Sequence, residues 1–240
     1  MGVLRGLAMF LFIIAVPLAL ISTNVRYLAN EGRIYTYAFD EYKASAKTGI
    51  ARSELVRASA DLRGYFNNNA ELFYTRVKQG EREVPLFNER EVRHLHDVKQ
   101  LLGLAYHINE IAFVYILAYV AGVFIWARER SLRALALQAL IGGVLTIAII
   151  VLLGAFAVTG FERAFERFHL IAFSNDIWRF DPRTDHLIQM FPQEFWFDVT
   201  IFTGLMTIGE AALLSLISVI HLTVTHGSPA KALALSGQHP

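Results

Sequence analysis

The chain has 240 residues, 55% of them hydrophobic, with 22 basic against 21 acidic residues and a formal net charge of +1. That charge identifies no partner, nucleic acid included. The absence of cysteine excludes a thiol nucleophile, cysteine-based zinc sites and iron–sulfur clusters.

Charge-free runs of unusual length dominate the chain: residues 6–25, 111–127 and 134–161, with a fourth at 199–224 broken by a single acid, Glu210. A hydrocarbon core of ~30 Å needs about 20 apolar residues as a helix, so each run is a candidate span. Backbone polar groups in lipid must pair within the segment, which selects helices over open strands. The expected fold is an all-α polytopic membrane protein with spans near 6–25, 111–127, 134–159 and 199–224. A helical extracytoplasmic region would pack on its outer face, and the whole chain, 1–240, would form one integral membrane domain.

The first run begins after Arg5 and ends without a small-x-small cleavage pattern, so an uncleaved anchor is expected. Segment 26–110 follows. Within it Leu55, Leu62 and Phe66 recur at helical steps among Arg52, Glu54, Arg57, Asp61 and Arg63, which predicts an amphipathic helix from Ile50 to Leu72. Gln79-Gly80-Glu81-Arg82 marks a turn or small hairpin.

Asn88 and Glu91 then form a capping box, and a helix should run from about Glu89 into the second span. Glu91, His94 and Asp97 share one stripe of that helix at i, i+3 and i+6. The spacing predicts both carboxylates beside His94, where a carboxylate would orient the imidazole and raise its basicity. His96 lies ~200° around the helix from His94, at ~100° per residue.

The connection 128–133 carries three arginines, whereas 162–198 carries four arginines against seven acids. Short-loop charge therefore puts both termini and the arginine-rich loop in the cytoplasm, with 26–110 and 160–198 outside. Segment 26–110 is too long for its own charges to count in that rule.

Past the third span, Phe161, Phe165, Phe168 and Ala172 form an apolar stripe opposite Glu162, Arg163, Glu166 and Arg167, an interfacial helix with His169 at the stripe's edge. Asp181-Pro182 and Thr184-Asp185 are turn chemistry. Phe173, Trp178, Phe180, Phe191, Phe195, Trp196 and Phe197 crowd the same boundary, as an aromatic belt or as the wall of an acyl-chain groove. Glu210 is an intramembrane acid, read either as a functional candidate or, preferably, as a protonated carboxyl hydrogen-bonded to a neighbouring helix, since the other spans hold no basic residue to answer it.

The pattern Phe87-Asn88-x-x-Glu91-x-x-His94-x-x-Asp97-Val98 resembles one signature of the lipoprotein intramolecular transacylases, the Lit family of four-span bacterial membrane proteins. Phe168-His169, with Asn175, Trp178, Asp181-Pro182, Asp185, Leu187-Ile188 and Phe191-Pro192, resembles a second. The resemblance implies catalysis by His94 and His169, with Asp97 and Glu91 orienting. It implies a substrate contact surface at Asn175, Trp178, Asp181 and Asp185. It also implies a diacylglyceryl-modified lipoprotein as substrate, whose sn-2 acyl chain moves to its own N-terminal α-amine. Neither cofactor nor metal is expected, membrane lipid is the surrounding partner, and the active site would face the outer leaflet of the plasma membrane. Two alternatives from the residues alone are a metal-dependent membrane hydrolase, using His94, His169 and His186 with Asp97 or Asp185, and a non-catalytic sensor or scaffold.

Overall fold

The structure is a computed structural model, and it describes residues 2–126 and 129–225. Position 128 of the arginine-rich connection and Lys231 lie outside the described residues, while α6 (Glu129–Thr159) already includes the rest of that connection. Four helices are long and apolar enough to cross a membrane: α1 (Gly2–Asn30), α5 (Glu89–Trp126), α6 and α9 (Gln193–Val224). At ~1.5 Å per residue, α5 is about 57 Å long, nearly twice a hydrocarbon core. Its charged first half therefore lies beyond the membrane, and the apolar run from Ile111 is the part that crosses.

The chain divides into two compact units. The first comprises the described residues of Met1–Thr23, Ile108–Leu152 and Gly204–Pro240. Its helices meet through small residues. A Cβ on Gly143 would come within 3.0 Å of the Ala211 carbonyl, and one on Gly142 within 2.9 Å of Val16. Polar side chains add links between helices, as expected where no water competes. Asn109 donates to the Thr23 hydroxyl at 2.8 Å, Tyr115 to the Ala8 carbonyl at 2.8 Å and Tyr119 to Gln138 at 2.8 Å.

The second unit comprises Asn24–His107 and Leu153–Thr203. It holds the short elements: α2 (Gly32–Glu41), α3 (Ala44–Thr48), α4 (Arg52–Phe66), α7 (Phe161–Ala172) and α8 (His186–Met190). Strands β1 (Arg76–Gln79) and β2 (Arg82–Pro85) form an antiparallel hairpin that pairs Val77 with Val84. Gly80 supplies the positive φ of 65° that a tight hairpin turn needs. The 50–72 helix is real but shorter than its apolar pattern, ending at Phe66, where Asn67 folds back to donate to the Arg63 carbonyl.

This unit is built as a water-soluble core. Tyr35, Phe39, Leu55, Leu62, Tyr65, Phe73 and Leu95 are all buried in it. Phe191 and Phe195 belong to the same core, with Phe191 against Tyr35 and Phe39 at 5.7 and 5.6 Å. They are therefore neither belt nor groove residues, which corrects that part of the aromatic reading.

Candidate active site

The capping box forms as its spacing predicts: the Asn88 carboxamide accepts from Glu91 N at 3.0 Å, and Glu91 accepts from Asn88 N at 2.8 Å. The second Glu91 oxygen accepts from Leu187 N at 2.6 Å, tying the start of α5 to α8. These contacts fix the angular position of the first turns of α5. One turn on, His94 enters a buried aromatic enclosure. Phe173 and Phe180 meet its ring edge-on at 5.1 and 5.3 Å, and His169 lies nearly parallel to it at 6.1 Å. Each histidine is 7% exposed.

His169 projects inward from α7, one helical turn after half-buried Phe165 on the same side of the helix. Its ring packs on Phe165 at 4.2 Å and Trp178 at 4.6 Å. Its Nδ1 is 2.7 Å from the Phe165 carbonyl. A carbonyl only accepts, so Nδ1 carries the proton and Nε2 of neutral His169 holds a basic lone pair. His94 is complementary. Its Nδ1 is buried without a hydrogen-bond partner, which leaves Nε2 as the nitrogen able to meet a ligand.

Both histidines lie outside the apolar crossing segments, and both are held neutral. Burial pushes His94 down to about 4, aided by His169 and partly opposed by Asp97. Burial also lowers His169, the Phe165 hydrogen bond partly restores it, and the Arg179 charge lowers it further. Charging either ring costs desolvation, and charging both adds repulsion.

The carboxylates are placed differently from expectation. Neither Glu91 nor Asp97 hydrogen-bonds to His94. Glu91 is committed to two backbone N–H groups, and Asp97 accepts from Asn175 at 2.9 Å. Helical spacing brings residues to one face, but here the imidazole turns toward α7 while each carboxylate finds a stronger donor. Glu91 and Asp97 thus hold the scaffold around His94 instead of the ring itself. Of the four residues expected to meet substrate, Trp178 packs on His169 and Asn175 secures Asp97. Asp185 instead accepts from Asp181 N at 2.7 Å and from the Asn88 carboxamide at 2.9 Å, closing the 181–185 turn. Asp181 is engaged by Arg183 at 2.7 Å. Neither aspartate hydrogen-bonds to His94 or His169; the bonds of both go to the turn and its neighbours.

His96 points away, with Nδ1 2.6 Å from the Glu71 carbonyl, and His186 Nδ1 is 2.6 Å from the Leu86 carbonyl. Among the described residues no group of three His, Asp or Glu side chains is arranged to hold a metal, so His94, His169 and His186 do not form one donor set.

Two arginines were not singled out in the sequence. Arg90 donates to the carbonyls of Ile177 and Arg179 and lies over Phe180 at 5.5 Å. Arg179 stacks on Trp178 at 4.3 Å and pairs with Glu166 at 3.1 Å. Together they pin the 173–180 segment that walls the two histidines. The one available signal was position: Arg90 is four residues, about one helical turn, before His94.

Comparison with known proteins decides the family. The model of the lipoprotein intramolecular transacylase Lit matches residues 10–196. The chain belongs to the Lit family. The crystallised Lit of Bacillus cereus has the same fold, with a TM-score of 0.78 over 95% of this chain and 100% of that one at 19% identity. A histidine-to-alanine variant of it aligns with a TM-score of 0.72 at 18% identity, over 95% of this chain and 97% of that one. Such identities carry the fold alone. An uncharacterised protein of Aquifex aeolicus (strain VF5) is 33% identical over 132 residues, 55% of each chain. The matched stretch thus spans about half that relative. Membership makes the chain a multi-pass protein of bacterial membranes, and four spanning helices are what α1, α5, α6 and α9 supply.

Proposed function

We propose that this Lit-family chain transfers the sn-2 acyl group of a diacylglyceryl-modified lipoprotein to the α-amine of the same lipidated cysteine, and that His94 and His169 carry the reaction. The observation that carries this reading is the histidine pair: two neutral rings, 75 positions apart in sequence, stacked at 6.1 Å in an aromatic enclosure.

The neutral α-amine attacks the ester carbonyl carbon. Nε2 of His169, with its tautomer set by the Phe165 carbonyl, takes the amine proton as the C–N bond forms. Nε2–H of His94 donates to the carbonyl oxygen as it becomes an oxyanion. When the C–O bond breaks, His169 returns the proton to the departing glycerol oxygen, and both histidines end as they began. The product is an N-acyl, S-monoacylglyceryl lipoprotein. Amine and ester belong to one molecule, so orientation supplies much of the rate. Phe165, Phe173, Phe180 and Trp178 keep out the water that would hydrolyse the ester.

The orientation we propose places both termini in the cytoplasm and the second unit outside. The charges at 128–133 and 162–198 support it. Exposed apolar side chains on the second unit, Phe156, Phe168 and Ile171, suit contact with acyl chains. A cysteine in place of exposed Asn69 should react with an impermeant thiol reagent on intact cells; its protection would contradict that orientation.

The reaction is an isomerisation, so total mass is unchanged and fragment masses carry the information. A diacylglyceryl-cysteinyl peptide labelled on the sn-2 chain, mixed with an unlabelled one of different sequence, is the decisive substrate pair. Each N-terminal fragment should acquire its own acyl chain. Label crossing between peptides, or release of free fatty acid, would overturn the reading.

A further inference from the structure

An indole N–H can only donate a hydrogen bond. That of Trp178 is unpaired: the side chain is 8% exposed, and Nε1 is buried with no partner among the described residues. Four buried side-chain atoms among the described residues are orphaned in this way. Two of them, Trp178 Nε1 and His94 Nδ1, stand in the aromatic enclosure of the histidine pair. Buried donors are nearly always paired in folded proteins, so an orphan beside reacting groups points to a ligand atom.

The indole is held firmly where it is. Arg90 donates to the carbonyls of Ile177 and Arg179, the residues on either side of Trp178. The ring lies against His169 at 4.6 Å, and the Arg179 guanidinium covers it at 4.3 Å. A cation over the ring draws electron density from the indole and strengthens the N–H as a donor. A donor fixed in advance costs no reorganisation when charge develops beside it.

Other donors at the pair are spoken for. Of the side chains packed on the two histidines, Phe165, Phe168, Phe173 and Phe180 carry no polar hydrogen. His169 Nδ1 is committed to the Phe165 carbonyl, the Asn175 carboxamide donates to Asp97, and Arg179 donates to Glu166. Each histidine is as enclosed as the indole, so a substrate that reaches the pair parts the walls around Nε1 as well.

We propose that Trp178 is a third catalytic residue, whose Nε1–H donates, beside Nε2–H of His94, to the acyl carbonyl oxygen as it becomes an oxyanion. The inference rests on the acyl-transfer reading. As the C–N bond forms, the carbonyl π pair moves onto this oxygen, and the indole shares its hydrogen without giving it up. When the carbonyl re-forms, the C–O bond to glycerol breaks and the proton held by His169 goes to the glycerol oxygen. The indole ends unchanged.

Full-length protein purified in detergent, turning over a diacylglyceryl-cysteinyl peptide, provides the test. Two replacements are compared: Trp178→Phe, and Trp178 exchanged for benzothienylalanine, whose sulfur takes the place of the N–H in a ring of the same shape. In both, kcat should fall about 10²–10³-fold, the loss expected when one oxyanion donor is removed. KM should stay within about twofold, because the contact is made only in the transition state. The thermal midpoint of the sulfur analogue should not fall, since no hydrogen bond of the free protein is lost. Unchanged kcat in the analogue would overturn the proposal even if Trp178→Phe is slow or fails to fold, because ring shape alone would then matter. A raised KM at unchanged kcat would overturn it as well, by placing the N–H on the ground-state substrate. Release of free fatty acid in place of N-acyl product would overturn the acyl-transfer reading. It would leave this assignment standing if the analogue slows the release equally, because ester hydrolysis forms the same oxyanion, and would overturn it if the release is unchanged. A wild-type protein that turns over no ester would overturn both.

Discussion

In the first unit the large apolar side chains face outward. Leu117, Phe124, Leu152 and Leu213 are each more than half exposed, while small residues such as Ala211 and polar ones such as Thr146 and Thr207 are fully enclosed. In the second unit Leu55, Leu62, Tyr65 and Phe73 turn inward, and carboxylates and amides bind the loops together. The same residue types serve opposite ends because the outer solvent differs, lipid for one unit and water for the other. Proton transfer needs groups whose tautomer and charge are set, and such groups are concentrated in the second unit. The stacked histidine pair lies in the second unit.

The sharpest way to break that division is at Glu91, which is 1% exposed and satisfies two backbone donors. Glu91→Ala strands both, at about 1–3 kcal/mol each. Its thermal midpoint in detergent should fall markedly, with Glu91→Gln intermediate. An unchanged midpoint would show that the second unit does not depend on this tie.

The pH dependence comes next in size. Folding depresses His94 to about 4, so the folded ring stays neutral through the range in which a free histidine, at ~6.5, would charge. Between those two values the unfolded chain takes up a proton that the folded one refuses, so stability falls as pH drops from ~6.5 toward 4 and is unaffected above. The rate should instead follow the substrate amine, unperturbed near ~8, falling about tenfold per unit below it. A dominant inflection near 6.5 in the rate profile would mean that the histidines titrate normally and the enclosure is not dry.

How far the sequence reached differs between the units in the same way. Spans and their order were legible because lipid imposes one local rule, apolar length. His94 and His169 could be singled out because each stands in a motif at an amphipathic helix edge, and the fold brings their rings to 6.1 Å. The carboxylates around them were not. Spacing put Glu91 and Asp97 on the His94 stripe, but their real partners, Leu187 and Asn175, lie 96 and 78 positions away. Asp181 and Asp185, expected at the substrate, have their hydrogen bonds within the 181–185 turn, to Asn88 and to Arg183, in keeping with their Asp-Pro and Thr-Asp context. Arg90 and Arg179 carried no motif at all, since their role is to clamp a segment that only the fold brings near.

A smaller effect tests the bundle. Gly143→Ala would press a Cβ to 3.0 Å from the Ala211 carbonyl, whereas Gly209→Ala meets nothing within 4 Å. The first should lower the thermal midpoint, by about 1–3 kcal/mol of overpacking, and the second should not. Acyl transfer per folded molecule should be unchanged in both. A catalytic defect in Gly143→Ala at full stability would show that the bundle takes part in the chemistry.

Smallest is Asp97→Asn, which keeps an oxygen for Asn175 but removes the charge that favours a protonated His94. A partly exposed charge of this kind is worth about 1 kcal/mol or less, so the rate should fall about fivefold at most, at normal protein abundance. His96→Ala, whose ring faces Glu71, should leave the rate as it was. A larger loss in His96→Ala than in Asp97→Asn would contradict the placement of the site.

The most direct measurement is the initial rate of N-acyl product formation, read from N-terminal fragment masses, for the purified protein and for His94→Ala, His169→Ala and the double variant at matched abundance. Each single change should reduce the rate by about 10²–10⁴-fold. The double variant should be no slower than the slower single one, since groups acting in one step do not add. Full activity in the stable His169→Ala protein would contradict the two-histidine account.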